Sequence, residues 1–407
     1  MPIPPLATVV GTGMAAVRFT LPGTHLSVSG LVAVAAVTMP GLQRWIMARR
    51  ENRVLALLLV LWFAGQAASS LCADVPVVEA VLHALVFPTL VGVGAFVLSR
   101  LAHGSTSRVA GLAVLASAAY CVFLTISPTG YFEQDPWKYG LGVPATIICF
   151  AAVGTLRPRG HPAAALLLVA GLAALHLFLG FRSLAAICLV ALAVLIARRP
   201  DRRLTIGRAA LTACVCLFAV WLCATAYSAV VERGWLGQEQ YDKHHYQSQV
   251  RGGYLVASRP EMMMSAELIT EQPLLGRGAD VVVSPQERQN VVMELYERGV
   301  NISLGQQRRL FDNGTNSHSL ALASWIRGGV LGSLPWFFVL LMLYRTVLRR
   351  WQSSDQLLYP LAVFMTLLLT WDFFFSPWAP GYEIVLGIAW SVVLAVGHPN
   401  RPDRAES

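Results

Sequence analysis

This sequence is poor in charge. Asp, Glu, Lys and Arg supply only 13% of its 407 residues, against 56% hydrophobic residues and a mean hydropathy of +0.57. That balance excludes a water-soluble globule, because a core of this size needs far more polar surface to cover it. DxD, HExxH, CxxC and Walker-type glycine patterns are also missing, so no sequence signature marks a metal-held substrate or a loop-cradled nucleotide. The seven cysteines fall within or at the edges of apolar runs, which excludes a disulfide framework and leaves them as small packing residues. There is no internal repeat and no low-complexity linker. The first apolar run lacks a basic leader and a cleavage site, so a removable signal peptide is not expected.

What the chain does have is a succession of apolar runs near the roughly 20 residues that span a bilayer. Twelve are expected to be helical, at about 4–19, 26–46, 54–72, 76–98, 109–127, 140–156, 163–179, 183–197, 208–231, 319–344, 357–375 and 381–397. The expected fold is an all-α polytopic membrane protein of about 12 transmembrane helices. Only "GFRS" separates the seventh and eighth runs, which predicts a tight helical hairpin.

Arginine orients the bundle. It crowds the loops after even-numbered spans, from Arg44 and Arg49 to Arg345, Arg349 and Arg350, and recurs in the tail. The opposite short loops carry only Arg18, Lys138 and Arg182. The positive-inside rule then predicts cytoplasmic termini and one long outer loop. Three regions follow: helices 1–9 in 1–231, the outer loop as a subdomain in 232–317, and helices 10–12 with a cytoplasmic tail in 318–407. The net charge of +9 is largely topological, so it is no sign of nucleic-acid binding.

A loop of that length is expected to fold. "RPEMMMSAELITEQPLLG" predicts a helix after Pro260 with Met263, Ala266, Leu268 and Ile269 on its apolar face. "SPQERQNVVMELYERGV" predicts a second, with Ser284 as N-cap, Gly299 past its end and Val291, Val292, Leu295 and Tyr296 buried. "GRGADVVVS" between them reads as a glycine turn and an extended run. The loop acids, Glu261 included, have the spacing of solvated helix faces. His244 and His245 are adjacent and too few for a metal site. Basic residues remain: Arg182, Arg251, Arg259, Arg277 and Arg327, with His318 among Asn316, Ser317 and Ser319. A guanidinium binds phosphate oxygens in pairs and keeps its charge. Arg182, between apolar flanks, is either a snorkelled arginine or part of a site. His318 is either a packed residue at a helix start or a proton acceptor, kept neutral by the helix N-terminus.

Three stretches, in order, resemble the O-antigen ligase and O-antigen polymerase superfamily of bacterial membrane glycosyltransferases. "GFRSLAAICLV" (180–190) is similar to its glycine–x–arginine segment. "SRPEMMMSAELITEQPLLGRG" (258–278) is similar to its outer-loop arginine, short helix and proline–leucine–leucine–glycine–x–glycine. "NSHSLALASWIRGGVLG" (316–332) is similar to its histidine motif leading into a span. Ser319 stands where asparagine is common, and Pro260 and methionines replace an aromatic stretch.

The resemblance implies metal-independent, inverting glycosyl transfer at the periplasmic face of the bacterial inner membrane, without a cofactor. The donor would be a glycan on undecaprenyl pyrophosphate, and for an O-antigen ligase the acceptor would be lipid A–core oligosaccharide. It assigns Arg182 and Arg259 to the pyrophosphate and His318 as general base, with Arg251, Arg277, Asn316, Ser319 and Arg327 as substrate contacts. A role for His318 as a further phosphate ligand stays open, as does a bundle-internal role for Arg327. Polymerase and protein O-oligosaccharyltransferase activities are alternatives within the superfamily. A lipid or anion transporter is the alternative outside it, disfavoured because Glu79, Asp372 and Glu383 lie near span ends and span interiors are apolar.

Overall fold

The computed structural model describes residues 39–396 except 103–104, 127, 129, 199–204, 236, 252–256, 258, 280, 312–316, 352–356 and 379–380. The expected span at 4–19, most of that at 26–46, the tail and Asn316 lie outside the described residues. Among the described residues the chain is all-helical, with no strand.

Among the described residues six helices are long and apolar enough to cross a membrane: Arg50–Cys72, Val77–Leu101, Thr106–Ile126, Trp137–Leu156, Gly207–Glu232 and Leu320–Arg350. Shorter apolar helices run over Pro162–Phe178, Arg182–Ala197, Tyr359–Phe375 and Tyr382–Ala395. Their outward faces carry exposed Leu57, Val122, Leu167, Phe178, Leu217 and Trp221. Large apolar side chains exposed on such helices are what hydrocarbon tolerates and water does not.

One continuous core joins the bundle. Leu320–Arg350 packs against Arg50–Cys72 and against Tyr359–Phe375, and Phe150 stacks on Phe364 across the Trp137–Leu156 helix with centroids 4.7 Å apart. Pro162–Phe178 and Arg182–Ala197 form the expected hairpin, closed by Gly180 at φ 74°. Pro162 at the first helical position opens its first arm, where a missing N–H costs nothing.

Residues 238–326 hold a second core of Val250, Met264, Leu268, Val291, Leu295 and Phe311, closed by Ile326. Glu261–Glu271 and Pro285–Glu297 match the two expected loop helices, and two more, Gln238–Gln249 and Leu304–Phe311, join them. Ser284 and Glu287 form a reciprocal capping box, and Gly299 follows the second helix at φ 83°. Two face assignments need correction. Met264, not Ala266, fills the first helix's buried position, and Tyr296 is exposed, because the buried stripe of the second helix narrows to Val291 and Leu295.

The expected span at 319–344 is also not one straight helix. Gly328 (φ −124°, ψ 19°) and Gly329 (φ 60°, ψ −155°) break it. Trp336 Nε1 donates to Ser324 Oγ at 2.8 Å. Twelve residues of straight helix would hold those positions about 18 Å apart. Residues 320–327 therefore fold back along the first turns of 330–350.

Candidate functional site

The break at Gly328–Gly329 frees backbone groups that need new partners. The Pro273–Gly278 loop supplies them. Arg277 N donates to Ile326 O at 2.6 Å, Gly278 N to Arg327 O at 3.0 Å, and Val330 N to Leu274 O at 3.2 Å. Trp325 Nε1 adds a bond to Pro273 O at 2.7 Å. Two glycine-bearing stretches noted separately in the sequence are thus the two halves of one joint. A Cβ on Gly329 would overlap Leu274 O, and one on Gly278 would lie 2.7 Å from the Ser70 backbone. Gly329→Ala is expected to cost on the order of 3 kcal/mol from the glycine-only backbone angle and the collision. Thermal unfolding in detergent reads this, with Gly171→Ala as the control because a Cβ there meets nothing within 4 Å. An equal melting temperature for both variants would refute the joint.

The fold-back decides where His318 stands. Ser319 caps the 320–327 segment, accepting from Leu322 N at 3.1 Å, and donates to Phe373 O at 2.6 Å. Phe373 also meets the Phe337 ring at 4.8 Å. His318 therefore sits level with the end of the Tyr359–Phe375 helix, about two turns below the corner at Gly329, and not at the tip of a spanning helix.

Two other stretches of the chain act on that imidazole. His318 Nε2 lies 3.5 Å from Glu261 Oε1, and the two side chains are 31% and 22% exposed. The second Glu261 oxygen is buried without a hydrogen-bond partner. Burial, then the charges of Arg259 and Lys138, push the His318 pKa down to about 4. Burial raises the Glu261 carboxyl above its ordinary value, while its own amide and Arg259 oppose the shift. A partly accessible, neutral imidazole beside a carboxylate and two cations is the result. Lys138 comes from the π-helical turn Trp137–Leu141 that opens its helix.

Arg182 starts its helix and is held in place. Its Nη2 donates to Gln240 Oε1 at 2.6 Å, and its guanidinium lies 4.1 Å from the Tyr227 ring centroid. The turn that carries Lys138 also braces this region. Trp137 Nε1 donates to His176 Nδ1 at 2.9 Å, and a Cβ on Gly142 would touch the Phe181 ring at 3.1 Å. Lys138 and Arg182 thus flank one structural unit, and the Lys138 charge is felt at His318.

The other expected contacts divide. Arg327 lies over Phe87 at 4.4 Å, beside an aromatic group of Trp62, Trp336, Trp378 and Tyr382. Arg251 is exposed, and its amide donates to Arg298 O at 2.8 Å. Ser319 is fully buried, with its hydroxyl engaged as cap and interhelix donor. Arg277 pairs with Glu271 and with buried Glu287, so it joins the two loop helices. Arg277→Ala leaves Glu287 buried without that cation, at a cost of about 2–3 kcal/mol. Limited proteolysis should then cut 238–311 faster while the apolar helices stay protected, and an unchanged cleavage rate would refute the link.

Glu261, Lys138, Gln240 and Tyr227 were not expected at the site. Lys138, a lone cation in a short outer loop, carried the one readable signal. Glu261 looked like any solvated helix acid. Among the described residues no three His, Cys, Asp or Glu side chains are grouped to hold a metal ion. No family model, curated protein or solved structure matches the chain.

Proposed function

We propose that this chain is a bacterial inner-membrane glycosyltransferase, an O-antigen ligase that moves a glycan from undecaprenyl pyrophosphate to lipid A–core oligosaccharide. The convergence of His318, Glu261, Arg259 and Lys138 from three distant stretches carries the reading. The topology belongs to the proposal: 12 spans, cytoplasmic termini, and residues 232–317 in the periplasm over the site.

In this mechanism Arg259, Lys138 and Arg182 bind the donor pyrophosphate, whose leaving oxygens gain charge as the sugar C1–O bond breaks. The acceptor hydroxyl attacks C1 from the opposite face, giving inversion. Its proton passes to His318 through Nδ1, because Nε2 faces Glu261. Glu261 then stabilises the imidazolium, as a carboxylate does for a histidine base. The pyrophosphate leaves with the bonding electrons and remains on its lipid. Donor phosphate charge also offsets the Arg259 and Lys138 contributions that, after burial, lower His318 basicity. The absence of a DxD motif supports arginines rather than a metal in this role.

The test is the lipopolysaccharide of a deletion strain complemented with this gene. Bare core with accumulated lipid-linked polymer in the uncomplemented strain, and a ladder on complementation, supports the ligase. Core bearing a single repeat in the uncomplemented strain assigns a polymerase instead. Normal lipopolysaccharide without the gene overturns both.

A further inference from the structure

At the end of the bundle opposite His318, the start of Arg50–Cys72 and the ends of Leu320–Arg350 and Tyr382–Val396 enclose a cavity of about 230 Å³. Its lining holds Arg49, Arg50, Arg345 and Arg349 against one carboxylate, Glu51. We propose that this cavity binds the phosphate of an anionic phospholipid.

Four observations carry this assignment. The Arg50–Cys72 helix has arginine at its N-cap, a residue with no acceptor, and no side chain caps it. The partial positive charge of that terminus therefore adds to the cationic cavity. Arg49 is fixed in place, 4.5 Å from the Trp45 ring centroid and donating to Leu394 O at 3.1 Å. Leu341, Arg345 and Arg349 share one helical row four residues apart. Leu341 and the adjoining Leu348 are exposed, as is Leu57 on the neighbouring helix. An apolar track leading into a cationic end is the layout of acyl chains below a headgroup. The volume falls short of the roughly 300–1,000 Å³ that encloses a drug-sized ligand, which favours a phosphodiester over a nucleotide or glycan.

The inference stands on this end of the molecule alone and does not depend on the proposed activity. The probe is phosphatidylglycerol added to the full-length protein in neutral detergent, read by native mass spectrometry and thermal unfolding. Phosphatidylglycerol should remain bound and raise the melting temperature, whereas phosphatidylcholine should do neither. Arg345→Gln with Arg349→Gln should weaken retention about 30-fold, and the paired lysine variants should keep it. Equal retention by the glutamine variant, or an equal response to phosphatidylcholine, would overturn the site. An equal shift from millimolar glycerol phosphate would show a soluble anion site instead of a lipid one.

Discussion

His318→Ala is expected to lose about 10²- to 10⁴-fold in glycan transfer, the usual contribution of a positioned general base. The assay is transfer from lipid-linked donor to acceptor by purified protein. The loss should fall on turnover more than on donor affinity, because in the proposed mechanism the imidazole acts on the acceptor proton. With His318 titrating at about 4 in the free protein, kcat/KM should stay flat from pH 8 down to about 5 and fall below it. Stability follows the same group. An unfolded histidine titrates near 6.5, so the unfolded state binds more protons between the two values. That contribution is full above about pH 6.5, falls through the window and is lost near 4. His318→Gln should flatten that part of the stability profile. Full activity in His318→Ala at matched folding would remove the base from the mechanism.

Arg259→Ala is expected to cost about 10²- to 10³-fold, the scale for deleting one preorganised contact to developing charge. It should weaken donor binding as well as turnover, which separates it from His318→Ala. It should also move the acid limb of the kcat/KM profile upward, because the Arg259 charge helps to hold the His318 pKa down. Arg259→Lys should restore the position of the limb better than the rate, since an ammonium keeps the charge and loses the bidentate fork. If the limb stays in place in Arg259→Ala, the electrostatic link between the two residues is wrong.

The bundle was largely legible from hydropathy. The expected spans at 109–127, 163–179 and 183–197 are helices at Thr106–Ile126, Pro162–Phe178 and Arg182–Ala197, because long apolar runs have few alternatives to a helix. The loop helices were legible through Pro260, Ser284 and Gly299, which act locally. The fold-back at Gly328–Gly329 was not, since its backbone angles are held by a loop 50 residues away. The same distance hid Glu261. Its neighbours in sequence are methionines, and only the tertiary arrangement sets its carboxyl beside an imidazole. The roles of Arg277 and Ser319 in joining helices were equally hidden, since their partners lie in other elements.

The stapled corner has a consequence for how the protein is made. Translation delivers the Pro273–Gly278 loop before the segment it must hold, and nothing within 320–330 alone fixes a reversal of direction. Until the 238–311 helices settle and present that loop, the break at Gly328–Gly329 lacks the partners that hold it, and 320–350 would extend as one rod. His318 would then be carried away from Glu261. The His318–Glu261 pair is therefore among the last contacts to assemble, and under the proposed activity a chain released with residues 238–311 unfolded would be inserted but inert.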